Sequence, residues 1–319
     1  MSTVETVRGP VPVANLGRAL MHEHIFILEP EALQNYGHVW GPSYWDEEAR
    51  VGEAIEKLRA VEQAGFDTFV DPTAIGLGRN VRRIARVNAE VDLNIVVATG
   101  VYAFLELPNF LRYRSTEQIA ELFVRELREG IDDTGIKAAF LKCAIEEHGL
   151  VGDLPRIIEA TALAANETGA PVMVHTNGPA KTGLLAIEAF ARHGVDLSKL
   201  IVAHAGDSND LGYLRELARS GAILGYDRFN IPHFNPDEKR IETLLVLLEE
   251  GYAGQVTLSH DAACFIDFFT GDEKFAGEEP DYLWISQKIL PRLLEDGVSQ
   301  ADIDTMLVDV PARYFSPRT

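Results

Sequence analysis

Along the chain, short apolar runs with little polar alternation are followed by longer stretches whose apolar residues recur at helical spacing. The short runs predict strands over 17–28, 66–73, 94–102, 136–145, 171–176, 200–205, 222–229 and 255–262. The longer stretches predict helices over 46–64, 116–132, 154–168 and 237–250, the last with Ile241, Leu244, Leu245 and Leu248 on one face. Gly65, Gly194, Gly221 and Gly251 stand just past helical stretches, where a left-handed residue stops a helix.

Strands that are apolar on both faces and alternate with helices predict a parallel sheet covered on both sides. Eight such units suit an α/β fold closed into a (β/α)8 barrel, whose chemistry lies at the C-terminal ends of the strands. No Gly-rich phosphate-binding turn follows the first strand, which counts against an open doubly wound sheet. No linker-like segment interrupts the pattern, so the simplest division is a single domain over 1–319. It carries a short N-terminal extension, 1–16, and long loops over 27–45 and 263–280. The first loop bears Pro30, Tyr36, His38, Trp40 and Trp45, and the second Phe265, Phe268, Phe269 and Phe275. Both would overhang the same barrel end, where aromatic loops are expected of a substrate pocket.

Composition narrows the function classes. A formal net charge of −20 lacks the basic footprint a phosphate backbone needs, so nucleic acid is excluded as a partner. It also speaks against binding to an anionic membrane surface. The N-terminus does not read as a signal peptide, and no apolar run reaches transmembrane length. Two cysteines, Cys143 and Cys264, are too few for a disulfide framework, and a cytoplasmic location is expected.

The candidate chemistry sits at the strand ends. His22 and His24 in ALMHEHIF, Lys142 in AFLKCAI, His175 in VMVHT, His204 in IVAHAGD and Asp261 in VTLSHDAA each follow an apolar run. His22 and His24 are two apart, which on a strand turns both inward and Glu23 away. Lys142 to His175 spans 33 residues and His175 to His204 spans 29, each about one βα unit. A lone histidine after an apolar run is usually a hydrogen-bonded core residue. Five strand ends in one register, with a lysine in line, predict a metal site instead. Imidazoles and a carboxylate suit divalent zinc, cobalt, iron or manganese.

The segments VRGPV, LMHEHIF, VMVHT, AHAGD and LSHDAACFID resemble the phosphotriesterase family of the amidohydrolase superfamily, most of all its phosphotriesterase-like lactonases. The resemblance runs from about residue 6 to about residue 315. It implies two metal ions per subunit, one on His22, His24 and Asp261 and the other on His175 and His204. It further implies that Lys142 is carbamylated and bridges both ions together with a hydroxide, and that the enzyme is a homodimer. Attack of that hydroxide on the carbonyl of an N-acyl-homoserine lactone or another γ- or δ-lactone is the implied reaction, with promiscuous hydrolysis of organophosphate triesters. Asp261 is then the proton shuttle. Tyr102 in TGVYAF, Arg228 in GYDRFN and Phe268 are the implied substrate-binding residues, Phe268 standing where the family more often has tryptophan.

Other readings of these residues stay open. Tyr102 can be a capping residue, and Arg228 can simply pair with its neighbour Asp227. Cys143 alternates away from Lys142 and reads as a buried structural thiol, and His260 as a core residue. Asp71 is expected to tie down the loop after strand two. His38, His148, His193 and His233 are assigned no metal. Two further functions compete: a primary phosphotriesterase or esterase built on the same site, and a metal-stabilised binding protein without turnover.

Overall fold

Seven of the eight expected strands form as single strands, each over fewer residues than its apolar run, and the first divides in two. The structure, a computed structural model, describes residues 2–42, 44–268 and 282–317. The barrel strands are β1 Ala19–Leu20, β2 Thr68–Asp71, β3 Asn94–Gly100, β4 Phe140–Ile145, β5 Val172–Thr176, β6 Leu200–Ala203, β7 Ile223–Tyr226 and β8 Val256–Leu258. They are hydrogen-bonded in sequence order and every pair is parallel. Helices such as Glu47–Gln63, Thr116–Arg128, Leu154–Thr168 and Asp237–Glu249 cover the outside, which makes the molecule a (β/α)8 barrel. Asp46 and Ser115 cap the first two of these by accepting from Ala49 N and Gln118 N. Gly65, Gly194, Gly221 and Gly251 all take positive φ, as a helix stop requires.

Two expectations change. The first run is not one strand: after β1 the chain breaks, and a separate strand His24–Ile27 pairs in parallel with Ala263–Ile266 beyond β8. This closes the barrel where β1 and β8 form no ladder of their own. Asp261 N donates to His22 O at 3.0 Å and His24 N to Ala262 O at 2.8 Å. Fully buried Glu23 clamps the seam, accepting from Ser259 Oγ, His260 N, His260 Nδ1 and Ala262 N. A buried carboxylate tolerates such a place only when its lone pairs are filled, and here they are. His260 Nε2 accepts from Ile285 N, so this imidazole is a neutral core group.

The second change is that 27–45 is not all loop. Helix Pro30–Trp40 forms there, with proline at its first position, where the missing N–H costs nothing. None of its residues is buried. The 263–280 segment begins as strand Ala263–Ile266; residues 269–281, with Phe269 and Phe275, lie outside the described residues.

Alternation along the strands sorts the core into two layers. Val70, Val96, Ala98, Phe140, Met173, Ile201, Ala203 and Ile223 fill the barrel interior, which Tyr314 and Phe315 close at the lower end against Phe140. Phe69, Ile95, Val97, Leu141, Val174, Val202 and Leu224 face the helices instead. Cys143 lies in that outer layer, and burial pushes its thiol up to about 12, so it is a packed, inert thiol. No helix among the described residues is long and apolar enough to cross a membrane.

Candidate active site

Continuing the inward alternation past the strand tops leads to the site. On β4, Phe140 is followed inward by Lys142, Ala144 and Glu146; on β5, Met173 by His175; on β7, Ile223 by Gly225 and Asp227; on β3, Val96 by Ala98, Gly100 and Tyr102. Gly100 has φ +129°, and a Cβ there would sit 1.9 Å from Lys142 O, so only glycine lets β3 pass this close to the lysine. His22 lies in the break after β1 and His24 opens the strand that follows it, with their rings 5.5 Å apart. His204 and Asp261 leave β6 and β8 with φ +65° and +54°. Non-glycine residues seldom adopt that region, and held there they mark local strain of the kind concentrated at functional sites.

The expected ligands Lys142, His175, His204, His22, His24 and Asp261 all meet at the upper end of the barrel. Lys142 Nζ lies 3.3 Å from His22 Nε2, and Asp261 Oδ1 lies 3.3 Å from both His22 Nε2 and His24 Nε2. His204 Nε2 lies 2.9 Å from His175 Nδ1 and 3.9 Å from Asp261 Oδ2. All but Asp261, which is 15% exposed, are buried.

Partners outside this ring assign the imidazole protons. Asp227 accepts from His22 Nδ1 at 2.8 Å and from His204 Nδ1 at 2.9 Å. Thr73 Oγ1, 2.7 Å from His24 Nδ1, can take its proton, with Asp71 Oδ1 3.7 Å away. Glu146 Oε2 accepts from His175 Nε2 at 3.2 Å. Each histidine therefore turns an unprotonated nitrogen toward its neighbours: Nε2 of His22, His24 and His204, and Nδ1 of His175. Four bare acceptors converge beside a carboxylate, some within 3.3 Å of another acceptor, an arrangement that repels itself unless a cation lies among them. The residues fit divalent metal ions, and His22, His24 and Asp261 lie close enough to share one.

Electrostatics agree with that protonation pattern. Burial and the Lys142 charge lower His22 to about 4, and burial lowers His175 and, further, His204. The imidazoles of His22, His175 and His204 are thereby kept neutral at pH 7 and need release no proton to bind a cation. Burial lowers Lys142 to about 8 against the pull of Asp261 and Asp227, which brings a neutral amine within reach. Burial would raise Asp227, but its interactions with His204 and His22, hydrogen bonds included, hold it well below the usual carboxylate range.

Tyr102 and Arg228 flank this ring. The Tyr102 hydroxyl lies 3.1 Å from Glu146 Oε1 and 3.3 Å from His175 Nδ1. Arg228 does not pair with Asp227. Its Nε donates to Asp261 Oδ2 and its Nη1 to Asp207 Oδ2, both at 2.9 Å, and its guanidinium lies 3.9 Å over the Phe234 ring. Asp227 is already filled by the two imidazoles and His204 N. Buried Arg240 holds the other Asp207 oxygen at 2.7 Å. Asp71 fastens the chain after β2, accepting from Thr73 N and Ile25 N. Phe268 is 55% exposed, outside the buried ring. His38, His148 and His233 are exposed, and His193 ends a helix.

Sequence reasoning missed Asp227, Glu146, Thr73 and Asp207. The signal for Glu146 was its position four residues past Lys142, and for Asp227 its position two past Gly225 on an inward-facing series.

Sequence and fold comparisons point the same way as this geometry. The family model described as "Phosphotriesterase family" matches residues 2–315. The chain is 43% identical to a "Phosphotriesterase homology protein" of Mycobacterium tuberculosis over 324 aligned residues, covering 99% of this chain and 98% of that one. It is 34% identical to an "Aryldialkylphosphatase" of Saccharolobus solfataricus, covering 95% of this chain and 96% of the other. The solved phosphotriesterase structure from Mycobacterium tuberculosis superposes with a TM-score of 0.93 at 43% identity, over 98% of each chain. With likeness running end to end in both sequence and fold, the chain belongs to the phosphotriesterase family and is a hydrolase.

Proposed function

We propose that this hydrolase is a binuclear lactonase, acting on N-acyl-homoserine lactones and other γ- and δ-lactones, with phosphotriester hydrolysis as a secondary activity. The observation that carries the binuclear part is the convergence of four bare imidazole nitrogens on Asp261 and Lys142. His22, His24 and Asp261 would hold one ion, His175 and His204 the other, and Lys142 as a carbamate would bridge them. Zinc suits these donors, and so do cobalt, iron and manganese. An ammonium has no lone pair for a metal, and the low Lys142 pKa favours the neutral amine that takes up carbon dioxide. When bound, the ions supply an activated water and a Lewis acid for the developing negative charge.

The chain's own groups do the rest. Asp261 takes the proton of the attacking water as the new C–O bond forms and returns it to the alkoxide as the ring C–O bond breaks, giving a hydroxy acid. Arg228 holds Asp261 by one oxygen and is held in turn by Asp207, so the carboxylate keeps its aim while moving a proton. Its guanidinium, kept charged by Asp261 and Asp207 despite burial, cannot itself accept that proton. Tyr102 would steer the lactone ring, and Phe268, at the opening of the 263–280 segment, would cover the acyl chain.

The likeness to an aryldialkylphosphatase favours a second reading, in which phosphotriester or ester hydrolysis is primary. Protein reconstituted with single metals, assayed on a lactone series and on paraoxon, separates the two. We expect about two ions per chain at saturation, because six ligands exceed one tetrahedral site. We also expect the larger kcat/KM on lactones. Saturation at one ion would refute the binuclear site, and a larger kcat/KM on paraoxon would refute the lactonase.

Phe268→Ala tests the rim. It should lower kcat/KM for long-chain lactones several-fold, about 1–2 kcal/mol of lost apolar burial. Paraoxon, with no long chain to cover, should be spared. Remote binding energy counts only where the chain is held in the transition state. Equal losses on both substrates would mean that Phe268 supports the fold alone.

A further inference from the structure

We propose that Glu146 is the positioning residue for the second metal position, fixing His175 and Tyr102 with one carboxylate. The inference rests on the binuclear reading above and deepens it. Glu146 follows β4 by one residue and shares the inward side of that strand with Lys142. Its Oε2 accepts from His175 Nε2 at 3.2 Å, and its Oε1 accepts from the Tyr102 hydroxyl at 3.1 Å.

Both contacts have a consequence at the site. With its proton on Nε2, His175 presents a bare Nδ1, and that nitrogen lies 2.9 Å from His204 Nε2, the other donor of the same position. Without an acceptor at Nε2 the proton is free to move to Nδ1, where it would face the second position and block it. Asp227 already fixes His204, so Glu146 supplies the one orientation that His175 still lacks. The Tyr102 hydroxyl proton, committed to Glu146, cannot be donated to His175 Nδ1 at 3.3 Å, which leaves that lone pair available. Tyr102 thus stands beside the ligand without competing for it. The carboxylate side chain is 27% exposed, so it acts at the mouth of the site and is not part of the core.

Metal-stripped protein carrying 15N-labelled histidine side chains reads the proton position directly, with His175→Asn assigning the resonances. We expect the wild-type His175 proton on Nε2, and a mixture of both tautomers in Glu146→Ala. Equilibrium zinc titration against a chelator provides the second reading. In Glu146→Ala one ion should keep its wild-type affinity, while the other weakens about ten-fold or more, the range seen when the outer partner of a metal-bound histidine is lost. Glu146→Gln keeps a carbonyl acceptor for Nε2–H and should hold both affinities within about three-fold of wild type, and Tyr102→Phe should leave both unchanged. A wild-type proton on Nδ1, an unchanged His175 tautomer in Glu146→Ala, or equal weakening of both ions would overturn the proposal. A wild-type protein that takes up only one ion would instead refute the binuclear reading, and the tautomer measurement would still decide the role of Glu146.

Discussion

Replacing Lys142 with alanine should remove metal from the protein and reduce lactone and phosphotriester hydrolysis together, by more than about a hundred-fold. Loss of even an outer partner of a metal ligand costs about 10–100-fold, and Lys142 stands inside that shell, 3.3 Å from His22 Nε2. It is the one proposed ligand from β4 and the one placed to bridge both ions. The side chain is also almost fully enclosed, so truncation leaves a cavity between Asp261 and the histidines that no neighbour can fill without leaving its own partner. That cavity allows a specific rescue. A short carboxylic acid such as acetate or propionate presents the two oxygens of a carbamate, and with added metal it should restore part of the activity. Rescue should need the acid and the metal together. Restoration by metal alone would show that the bridge is dispensable, and a plain ammonium on Lys142 in a crystal structure of the active, metal-loaded wild type would refute the carbamate.

The sequence made some of this site legible and hid the rest for a physical reason. Lys142 and His175 stand on regular strands, where alternation from Phe140 and Met173 predicts an inward side chain. The same rule reaches Glu146 and Asp227, but a carboxylate among many on a chain of this charge draws no notice without its partners. His22, His24, His204 and Asp261 were found by residue type and register. Their geometry was not fully predictable, because the backbone slips by one residue before His22 and again at His204. Met21 faces the barrel interior, and so does the ring of His22 beside it, which a continuous strand forbids. The broken first strand is the structural form of that slip. His204 makes the same change by a left-handed residue, while Asp261 keeps the phase of its strand but also takes positive φ, which local propensity does not announce at histidine or aspartate. Helix Pro30–Trp40 was hidden differently: it buries nothing, so no apolar stripe marked it among the aromatic residues of its segment.

Asp227→Asn should be almost as damaging as loss of Lys142, although it changes no volume. The carboxylate serves three donors on two oxygens: His204 N and His204 Nδ1 meet Oδ1, and His22 Nδ1 meets Oδ2. An amide keeps one acceptor, and the side with two donors claims it. Its NH2 then faces His22 Nδ1–H, a donor against a donor in a buried place with no water to separate them. His22 escapes by moving its proton to Nε2, the atom now 3.3 Å from Asp261 Oδ1 and aimed at the first metal position. A protonated nitrogen cannot ligate. Zinc affinity should therefore fall mainly at the His22, His24 and Asp261 position, while His204, still oriented, keeps the other. Both ions are needed for turnover in this reading, so kcat/KM should fall about a hundred-fold, or about 2.7 kcal/mol, on every substrate. Asp227→Ala, which frees both imidazoles, should weaken both positions. The sharpest comparison is with Glu146→Ala, whose loss is expected at the opposite position. If Asp227→Asn left the first position intact, or weakened only the second, the tautomers inferred from these hydrogen bonds would be wrong. The assignment of His22 and His204 to different ions would fall with them.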